Sequence, residues 1–507
     1  MVRKSFKIIL KSLLWILLSV VSILFIICIL FSIPSIQTYV AQRTARYLSE
    51  QMQTEITIEK LHISWDLDII VKDIIIKDQH GHNLISAKHC EVDFPTLDKL
   101  NNKIIIPRIH ATDAEVFIAF YKGEDNVNIR FFVDFLIPKK RSKKPKSISL
   151  RNLSLDRGKF TFYNENTKRE ELDSHWNYSN IVIGDIYTKI DELLIIKDSL
   201  NFEITKLICK ERSGFSINNF KGHLRISRSG LYCLNTHFTT PHCSKVYIDF
   251  GFKYKDFPDF SDFVNKVAFD CKLYPSTISF IDLTYFVPFF KGMDACVEGK
   301  ATKVTGCLSE LSIDDAKISI DHNNFFEGSV SSHGLPDVEA TVFTADIKNI
   351  EADIKTIEAF NLPKKQRINI PKLAKQLQWI KANGNFNGYY YDFVTNASIK
   401  SAIGDGNFKD LYFKQTEEEL TYKGEFAISD VEINKLVNYK DIGKISANGK
   451  IIGDKNNIDS ALINISSIVY KNNNISNIKI TGDYHYKQFS FSFVSGDPNL
   501  KTAINGM

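Results

Sequence analysis

The stretch Val246–Tyr254, which reads VYIDFGFKY, decides the fold of this chain. Its apolar side chains stand at every second position and alternate with polar residues and one glycine. Successive side chains of a β-strand point to opposite faces of a sheet, so this alternation predicts a strand with one apolar face. The residues that form the predicted apolar face are Val246, Ile248, Phe250, Phe252 and Tyr254.

The same period-two pattern occurs near both ends of the chain. After Glu55 it is carried by Ile56, Ile58, Ile63, Trp65, Leu67, Ile69 and Val71. Near the C-terminus, Phe489, Phe491 and Phe493 alternate with serine. The segments between such runs, for example Asp454–Asn457, are too short for a parallel connection, which needs about a dozen residues or more. We therefore predict a mainly β chain with one long, mostly antiparallel sheet.

Glycines and a few helical segments punctuate this pattern. Ser279–Phe290 and Pro371–Lys381 predict short helices, the second with proline at its first turn. Segments of the type GEFAI and GKIIG recur, and we interpret their glycines as strand starts that permit bends. These glycines are Gly158, Gly222, Gly384, Gly406, Gly424, Gly449 and Gly482.

The composition narrows the class of protein. The chain has 507 residues and a formal net charge of +5, which argues against a dedicated nucleic-acid binder. It contains 37 Phe and 20 Tyr but only 13 Pro, and aromatic, proline-poor sequences suit strands. Eight cysteines are too few for a disulfide scaffold of this length.

The N-terminus predicts a membrane anchor. Leu13–Ile33 carries no charge and is long enough to cross a hydrocarbon core of about 30 Å. Four basic residues precede it, so the positive-inside rule places the N-terminus in the cytoplasm and the rest of the chain outside. A cleaved signal peptide is the alternative, but its apolar core is usually shorter and followed by a small-residue site. The anchor residues we single out are Leu13, Trp15, Phe25 and Phe31.

The segment 35–53 predicts an amphipathic helix after the anchor. Its apolar stripe is Ile36, Val40, Tyr47, Leu48 and Met52. Such a helix can lie at the membrane interface, cap a sheet edge or pack onto the following domain. The basic segment 138–146, PKKRSKKPK, reads as a linker. The predicted organisation is then 1–33 as tip and anchor, 34–137 as helix and first β module, and 147–507 as an extended β region.

Motifs for catalysis or cofactor binding are not found in the sequence. There is no GxSxG elbow, Walker A loop or HExxH pair, so we predict no enzyme activity, cofactor or metal. The nearest approach to a metal site is a group of two thiols and two imidazoles whose spacing matches no common zinc module. This group comprises Cys233, His237, His242 and Cys243.

A long apolar sheet face must be covered, and the predicted helices are too few to cover it. Three possibilities remain for covering this face: a second sheet, closure of the sheet on itself, or an apolar ligand. A phospholipid has about thirty chain methylenes, and hiding them from water is worth on the order of 20 kcal/mol. A curled sheet with an apolar groove could therefore bind lipid, with the residues of the three period-two runs as its lining.

The chain resembles the N-terminal portion of TamB-like proteins, the translocation and assembly module family within the AsmA-like superfamily of bridge-type lipid-transfer proteins, most closely the long Bacteroidota-type members. The resemblance rests on IPSIQTYVAQRTARYLSEQMQTEITIEKLHISWDLDIIVKDIIIKDQHGHNLISA after the predicted anchor, and on SGFSINNFKGHLRIS, FEGSVSSHGLPDVEATVF, GNFNGYYYDFVTNASIKSAIG and DPNL. These segments are spread over the whole chain, and their order carries the likeness.

The resemblance implies a single-pass inner-membrane protein with a periplasmic β-taco that moves phospholipid toward the outer membrane. It also implies a link to outer-membrane protein assembly through a barrel partner of the BamA/TamA type. Members of this family run longer and end in a C-terminal domain that is absent here, so we expect this chain to be a fragment. The alternative function is a periplasmic scaffold for outer-membrane β-barrel proteins, to which an open sheet edge could add a client strand.

Overall fold

A computed structural model describes residues 18–22, 29, 32–64, 66–124, 126–136, 147–166, 176–196, 199–286, 290–321, 324–359, 370, 372–416, 419–437, 439–485, 488–498 and 500–506. Most of these residues lie in 25 strands, and the helices among them are short apart from one. The chain forms two compact units, Met1–Ser227 and Arg228–Met507. The prediction of a mainly β, mostly antiparallel chain with a few short helices is confirmed.

Within the described ranges, the first unit includes a long helix, a short helix and nine strands. Its helices are α1 (Pro34–Met52) and α2 (Arg130–Leu136). Its strands are β1 (Ile56–Ile63), β2 (Ile69–Lys77), β3 (Asn83–Val92), β4 (Thr96–Asp98), β5 (Lys103–Phe120), β6 (Ser147–Asn164), β7 (Asn180–Ile196), β8 (Ser199–Glu211) and β9 (Ser216–Ser227).

The second unit is a longer series of strands interrupted by short helical turns. Its strands are β10 (Gly230–Thr239), β11 (Lys245–Lys253), β12 (Ala268–Ser279), β13 (Cys296–Gly306), β14 (Glu310–Asp321), β15 (Asn324–His333), β16 (Val342–Asp353), β17 (Trp379–Tyr389), β18 (Asp392–Ser401), β19 (Gly404–Gln415), β20 (Leu420–Glu432), β21 (Ile442–Asp454), β22 (Ile458–Tyr470), β23 (Asn473–His485), β24 (Gln488–Asp497) and β25 (Leu500–Gly506). Its helices are α3 (Phe263–Lys266), which follows a 3₁₀ turn at Phe257–Asp262, α4 (Phe280–Phe286), α5 (Ile354–Ala359), α6 (Lys372–Lys375) and α7 (Ile433–Val437).

Consecutive strands pair with each other throughout the second unit, always antiparallel. In the first unit β5 and β6 pair in parallel over most of their length. A parallel pair needs a long connection, and the segment 121–146, which includes α2, supplies it. The basic segment 138–146 lies between β5 and β6 in the sequence, and the boundary between the two compact units falls between Ser227 and Arg228.

The helical connections made by α4, by α5 with α6, and by α7 lie at one end of the strands, whereas the one made by α3, between β11 and β12, lies at the other end. α4 joins β12 to β13, α5 and α6 join β16 to β17, and α7 joins β20 to β21. Connections of an antiparallel meander alternate between its two ends, so connections four strands apart lie at the same end. The predicted helix Pro371–Lys381 is wrong beyond Lys375, because β17 begins at Trp379 and takes Ile380 into the sheet.

Bulges let the strands keep their apolar residues on one face. In many strands a doubled polar pair stands between apolar residues, and its second member has φ between 46° and 54°. In Ile428–Val431, for example, the backbone N–H of Asp430 donates to Ser446 Oγ (2.9 Å), while both apolar ends remain on the same face. The residues with such a φ at a shift in strand register are Arg157, Asp185, Glu192, Asn235, Asp315, Asp410 and Asp430.

Candidate functional site

The apolar face of the second unit is continuous from strand to strand. Residues directly opposite each other in an antiparallel pair share a face. One row of such partners crosses five strands through Ile428, Ala447, Ile465, Ile478 and Ser495. Isoleucines and Phe493 flank the middle of this row and pack against it. The face therefore extends across the strands as well as along them.

The predicted stripe on β11 lies on this face. Phe250 pairs with Cys233 on one side, and Phe252 pairs with Leu231 and Phe269 on its two sides. The ring of Phe252 lies 5.4 Å from that of Phe269 and 5.8 Å from that of Phe250, measured between centroids. The helical turn before β12 adds further rings to the cluster. Those rings belong to Phe260 and Phe263.

Of the remaining residues of that stripe, Val246 and Tyr254 are buried and Ile248 is half-buried. Val246 pairs with Phe238, and Ile248 pairs with Leu273. Tyr254 follows the end of β11, is buried, and packs its ring 4.9 Å from that of Phe260. The structure thus brings the five predicted residues together on one face.

The predicted stripe on β24 continues the face near the end of the described chain. Phe489 pairs with Tyr484 and its ring stacks on Phe491 at 5.2 Å, while Phe493 pairs with Ile480. Phe489 is 46% exposed, so its ring presents apolar surface to whatever lies against the face. The three phenylalanines therefore share one face, as the alternation predicts.

Glycines on the same face make room for the aromatic rings. Gly449 lies opposite Phe426, and a Cβ at Gly449 would stand 3.1 Å from Phe426 Cζ. Gly453 lies opposite Tyr422, and Gly482 lies opposite Phe491. The interpretation of the recurring glycines as strand starts is wrong for all but Gly406, because the others lie inside strands. These are Gly158, Gly222, Gly384, Gly424, Gly449 and Gly482. Gly449 and Gly482 make room for an aromatic ring on the next strand, and we did not predict this role from the sequence.

Charge is segregated to the opposite face. Among the described residues of the second unit, no strand-to-strand partner on the apolar face is a lysine or arginine. Ion pairs such as Lys253–Asp270 (2.6 Å) and Lys317–Glu327 (3.2 Å) lie on the other face. A face of this kind can bind apolar chains.

In the first unit, α1 caps the free edge of β1 with its side chains. Thr38 Oγ1 donates to Leu61 O (3.0 Å) and accepts from Leu61 N (3.1 Å). Gln42 Nε2 donates to Ile58 O, and Ser49 Oγ accepts from Ile56 N. Of the alternatives for the segment 35–53, the structure shows both capping of a sheet edge and packing onto the following strands, because Ala45 and Met52 form a buried cluster with Ile56. The predicted stripe is rotated, since Tyr47 is exposed and Ala41 and Ala45 are buried.

Between α1, α2 and the sheet lies an apolar cavity of about 500 Å³. Ile56 and Ile58 of β1 line it, and their partners Ile76 and Ile74 on β2 line it as well. The helices contribute the remaining wall through small and apolar side chains. These include Ala41, Ala45, Leu48, Met52, Phe132 and Phe135.

The other predicted residues near β1 are placed differently. Ile69 begins β2 opposite Ile63, which also lines the cavity. Leu67 lies in the turn between β1 and β2 with φ of 67° and is 55% exposed, so it is not part of a strand face. The turn is closed by Leu67 N donating to Ser64 O, which period-two alternation does not foresee. Trp65 lies outside the described residues.

The anchor residues Leu13, Trp15, Phe25 and Phe31 also lie outside the described residues, and the anchor stays a prediction. No helix within the described part of the chain has the length and apolar composition needed to cross a bilayer.

The cysteine and histidine group around β10 is dispersed. Cys243 forms a disulfide with Cys296, Cys233 is buried in the sheet, and His237 stacks on Tyr247. Within the described ranges no cluster of His, Cys, Asp and Glu is arranged to hold a metal ion. Burial raises the pKa of Cys209 to about 11 and that of Cys233 above its usual range, so these thiols stay protonated.

Comparison with known proteins adds no neighbour: no family model, curated protein or solved structure matches this chain.

Proposed function

We propose that this protein binds the acyl chains of phospholipids along its apolar sheet face and conducts lipid between membranes. The observation that carries the proposal is the uninterrupted apolar face of β10–β25, whose side chains are mostly half-exposed within the described ranges. A sheet that completed its own core would bury these side chains under a second layer. A lipid chain supplies such a layer.

The energetics favour an occupant that is long and apolar. Each buried methylene contributes about 0.8 kcal/mol, so an acyl chain laid along the face gains on the order of 10 kcal/mol before entropy costs. Apolar contact does not depend on sequence register, so a chain can slide from one strand to the next at little cost. The charged headgroup would stay in water, where the other face keeps its own charges.

The cavity under α1 would hold one acyl chain. Its volume of about 500 Å³ falls within the range of roughly 300–1,000 Å³ that small-molecule sites occupy. It lies in the unit that follows the predicted anchor.

We further propose that the protein is TamB-like, held in the inner membrane by 13–33 with its sheet in the periplasm, and curled there into a groove. The Cys243–Cys296 disulfide supports an oxidising compartment for the second unit. The alternative, a scaffold that adds client strands, is disfavoured at one edge because α1 already occupies the backbone groups of β1.

Two substitutions on opposite faces of β24 test lipid binding. Phe489 and Val494 are both 46% exposed, and their positions in the strand place them on opposite faces. We expect Phe489→Asp to reduce co-purifying phospholipid several-fold, because a carboxylate on the path must be desolvated against acyl chains. Val494→Asp, which lies opposite Lys479, should retain the lipid.

Native mass spectrometry of the two variants measures the phospholipid bound, and circular dichroism checks that both remain folded. Equal lipid content in the two variants, or wild-type protein with no phospholipid, would overturn the proposed function.

A further inference from the structure

The short helix α2 closes one side of the cavity. Phe132 and Phe135 line the cavity wall, and Phe132 also packs against the core of Ala45, Met52 and Ile56. Phe135 lines the cavity and is 42% exposed, and Val133 of the same helix is 37% exposed. Acyl-chain contacts could replace those of the two phenylalanines, since both are purely apolar.

The chain is tied down two residues before α2 begins. Asn128 is buried, and its Nδ2 donates to Phe117 O (3.2 Å) while its Oδ1 accepts from Ala119 N (2.9 Å). Its backbone N–H also donates to Ala119 O (2.8 Å). Asn128 thereby supplies β5 with the pairing that another strand would otherwise provide.

Asn128 is in turn held by a buried carboxylate. The side chain of Asp78 is fully buried, and its Oδ2 accepts from Asn128 Nδ2 (2.9 Å) and from Tyr121 Oη. Its Oδ1 accepts from the backbone N–H groups of His80 (3.0 Å) and His82 (2.9 Å). Four donors thus converge on one carboxylate at the turn between β2 and β3.

Tyr121 extends this network to the start of the segment that carries α2. Burial and the neighbouring Asp78 raise the pKa of Tyr121, so its hydroxyl stays protonated and remains a donor. Its ring lies 3.8 Å from that of His80, whose Nε2 is 2.7 Å from Glu124 Oε1. The network of Asp78, Tyr121 and Asn128, here called the anchor network, fixes both ends of 121–128.

We propose that α2 is a movable cover of the cavity and that the anchor network is the fixed point on which it moves. The proposal rests on the proposed function, since it assumes that the cavity admits an acyl chain. The hydrogen bonds lie in the buried anchor network. By contrast, α2 contacts the cavity through apolar side chains, and contacts with an apolar ligand can replace these. Asp78 and Asn128 are positioning residues that act through α2.

Two matched alanine variants test the anchor network. Asn128→Ala removes the side-chain bonds to Asp78 and β5 and keeps the backbone bond to Ala119 O, while Asn126→Ala makes the same change at an exposed position two residues away. Hydrogen exchange followed by mass spectrometry on full-length protein without lipid should show at least tenfold faster exchange in 129–136 for Asn128→Ala. Hydrogen exchange equal to that of Asn126→Ala would overturn the proposed role of the anchor network.

Uptake of pyrenedodecanoic acid tests the cover. We expect Asn128→Ala to take up the probe several-fold faster than wild type, with the amount bound at equilibrium unchanged. Phe135→Ala, which leaves the anchor network intact, should also speed uptake. Faster exchange without faster uptake would overturn the cover and leave the proposed function standing. Wild-type protein that binds no probe would overturn both the proposed function and the movable cover. The hydrogen-exchange result would still decide whether the anchor network holds α2 in place.

Discussion

At the scale of single residues, the structure depends on where polar groups are allowed to be buried. Asp78 is the clearest case: burial alone would raise the pKa of its carboxyl, but hydrogen bonds from Tyr121, Asn128 and two backbone N–H groups outweigh burial and hold that pKa below its usual value of 3.8. The charged form is therefore favoured in the folded state. Its stabilising contribution is full above the ordinary pKa and is lost as the pH falls below it.

The lowered pKa of Asp78 determines how the stability of the Asp78→Asn variant depends on pH. The amide keeps the shape but weakens charge-assisted hydrogen bonds, so we expect the variant to be less stable than wild type by about 2–3 kcal/mol at pH 7. The difference should stay constant down to about pH 5 and shrink as the pH falls below 3.8, because the unfolded chain then takes up the proton first; it vanishes below the lowered pKa of the folded state, where the wild-type carboxyl is also protonated. Urea unfolding at several pH values measures it, and a difference that grows toward low pH would contradict the assignment.

The glycines show which features can be predicted from the sequence around a single residue and which cannot. Their recurrence before apolar residues was visible in the sequence, but the partner on the next strand was not. Gly482 lies opposite Phe491 only because β23 and β24 pair in that register. Register depends on turn geometry and on the bulges, which alternation alone does not locate.

At the scale of elements, strands were predictable wherever the alternation was regular. β11 has unbroken alternation, and all its predicted apolar residues share a face. The alternation around Leu67 is accidental, because a turn separates β1 from β2 there. Two adjacent polar residues, as between Ile428 and Val431, interrupt the period-two alternation. They mark bulges that keep the apolar residues on either side on one face. A search for apolar–polar–Asp/Asn–apolar groups would have found many of them.

The helix α1 shows why helix faces were harder to assign. Its sequence stripe included Tyr47, which is 60% exposed, while its sheet-facing side carries alanines and polar caps. Edge capping demands hydroxyl and amide groups at the positions that reach β1, and these do not register as an amphipathic pattern. The role of Thr38 therefore required the structure.

Removal of one edge cap gives a direct test of this role. Thr38→Val keeps the side-chain shape but leaves Leu61 N and O without the hydroxyl, so we expect a loss of about 1–3 kcal/mol in the free energy of unfolding. The matched control is Thr44→Val, because the Thr44 hydroxyl bonds to Val40 O within its own helix. Urea unfolding measures the loss, and size-exclusion chromatography should show Thr38→Val self-associating through the uncapped edge. Equal stability of the two variants would count against the cap.

At the scale of the whole molecule, two compact units predict two unfolding transitions. The disulfide joins Cys243, in the turn after β10, to Cys296 at the start of β13, and both residues belong to the second unit. A bridge over a sequence separation of 53 restricts only the unfolded chain of the unit that contains it. Its stabilisation by loop entropy is roughly 4 kcal/mol.

The double variant Cys243→Ser/Cys296→Ser should therefore shift one transition and leave the other in place. Trp379 is the only tryptophan after residue 227, so Trp379→Phe separates the fluorescence of the first unit from that of the second. We expect the transition reported by Trp379 to move to lower urea by an amount that corresponds to about 2–5 kcal/mol, with the other unchanged. Cys307→Ser, which removes a free thiol of the same unit, is the control. A shift of both transitions by the same amount would mean that the chain unfolds as one cooperative body, and the division at Ser227 would then have no energetic counterpart.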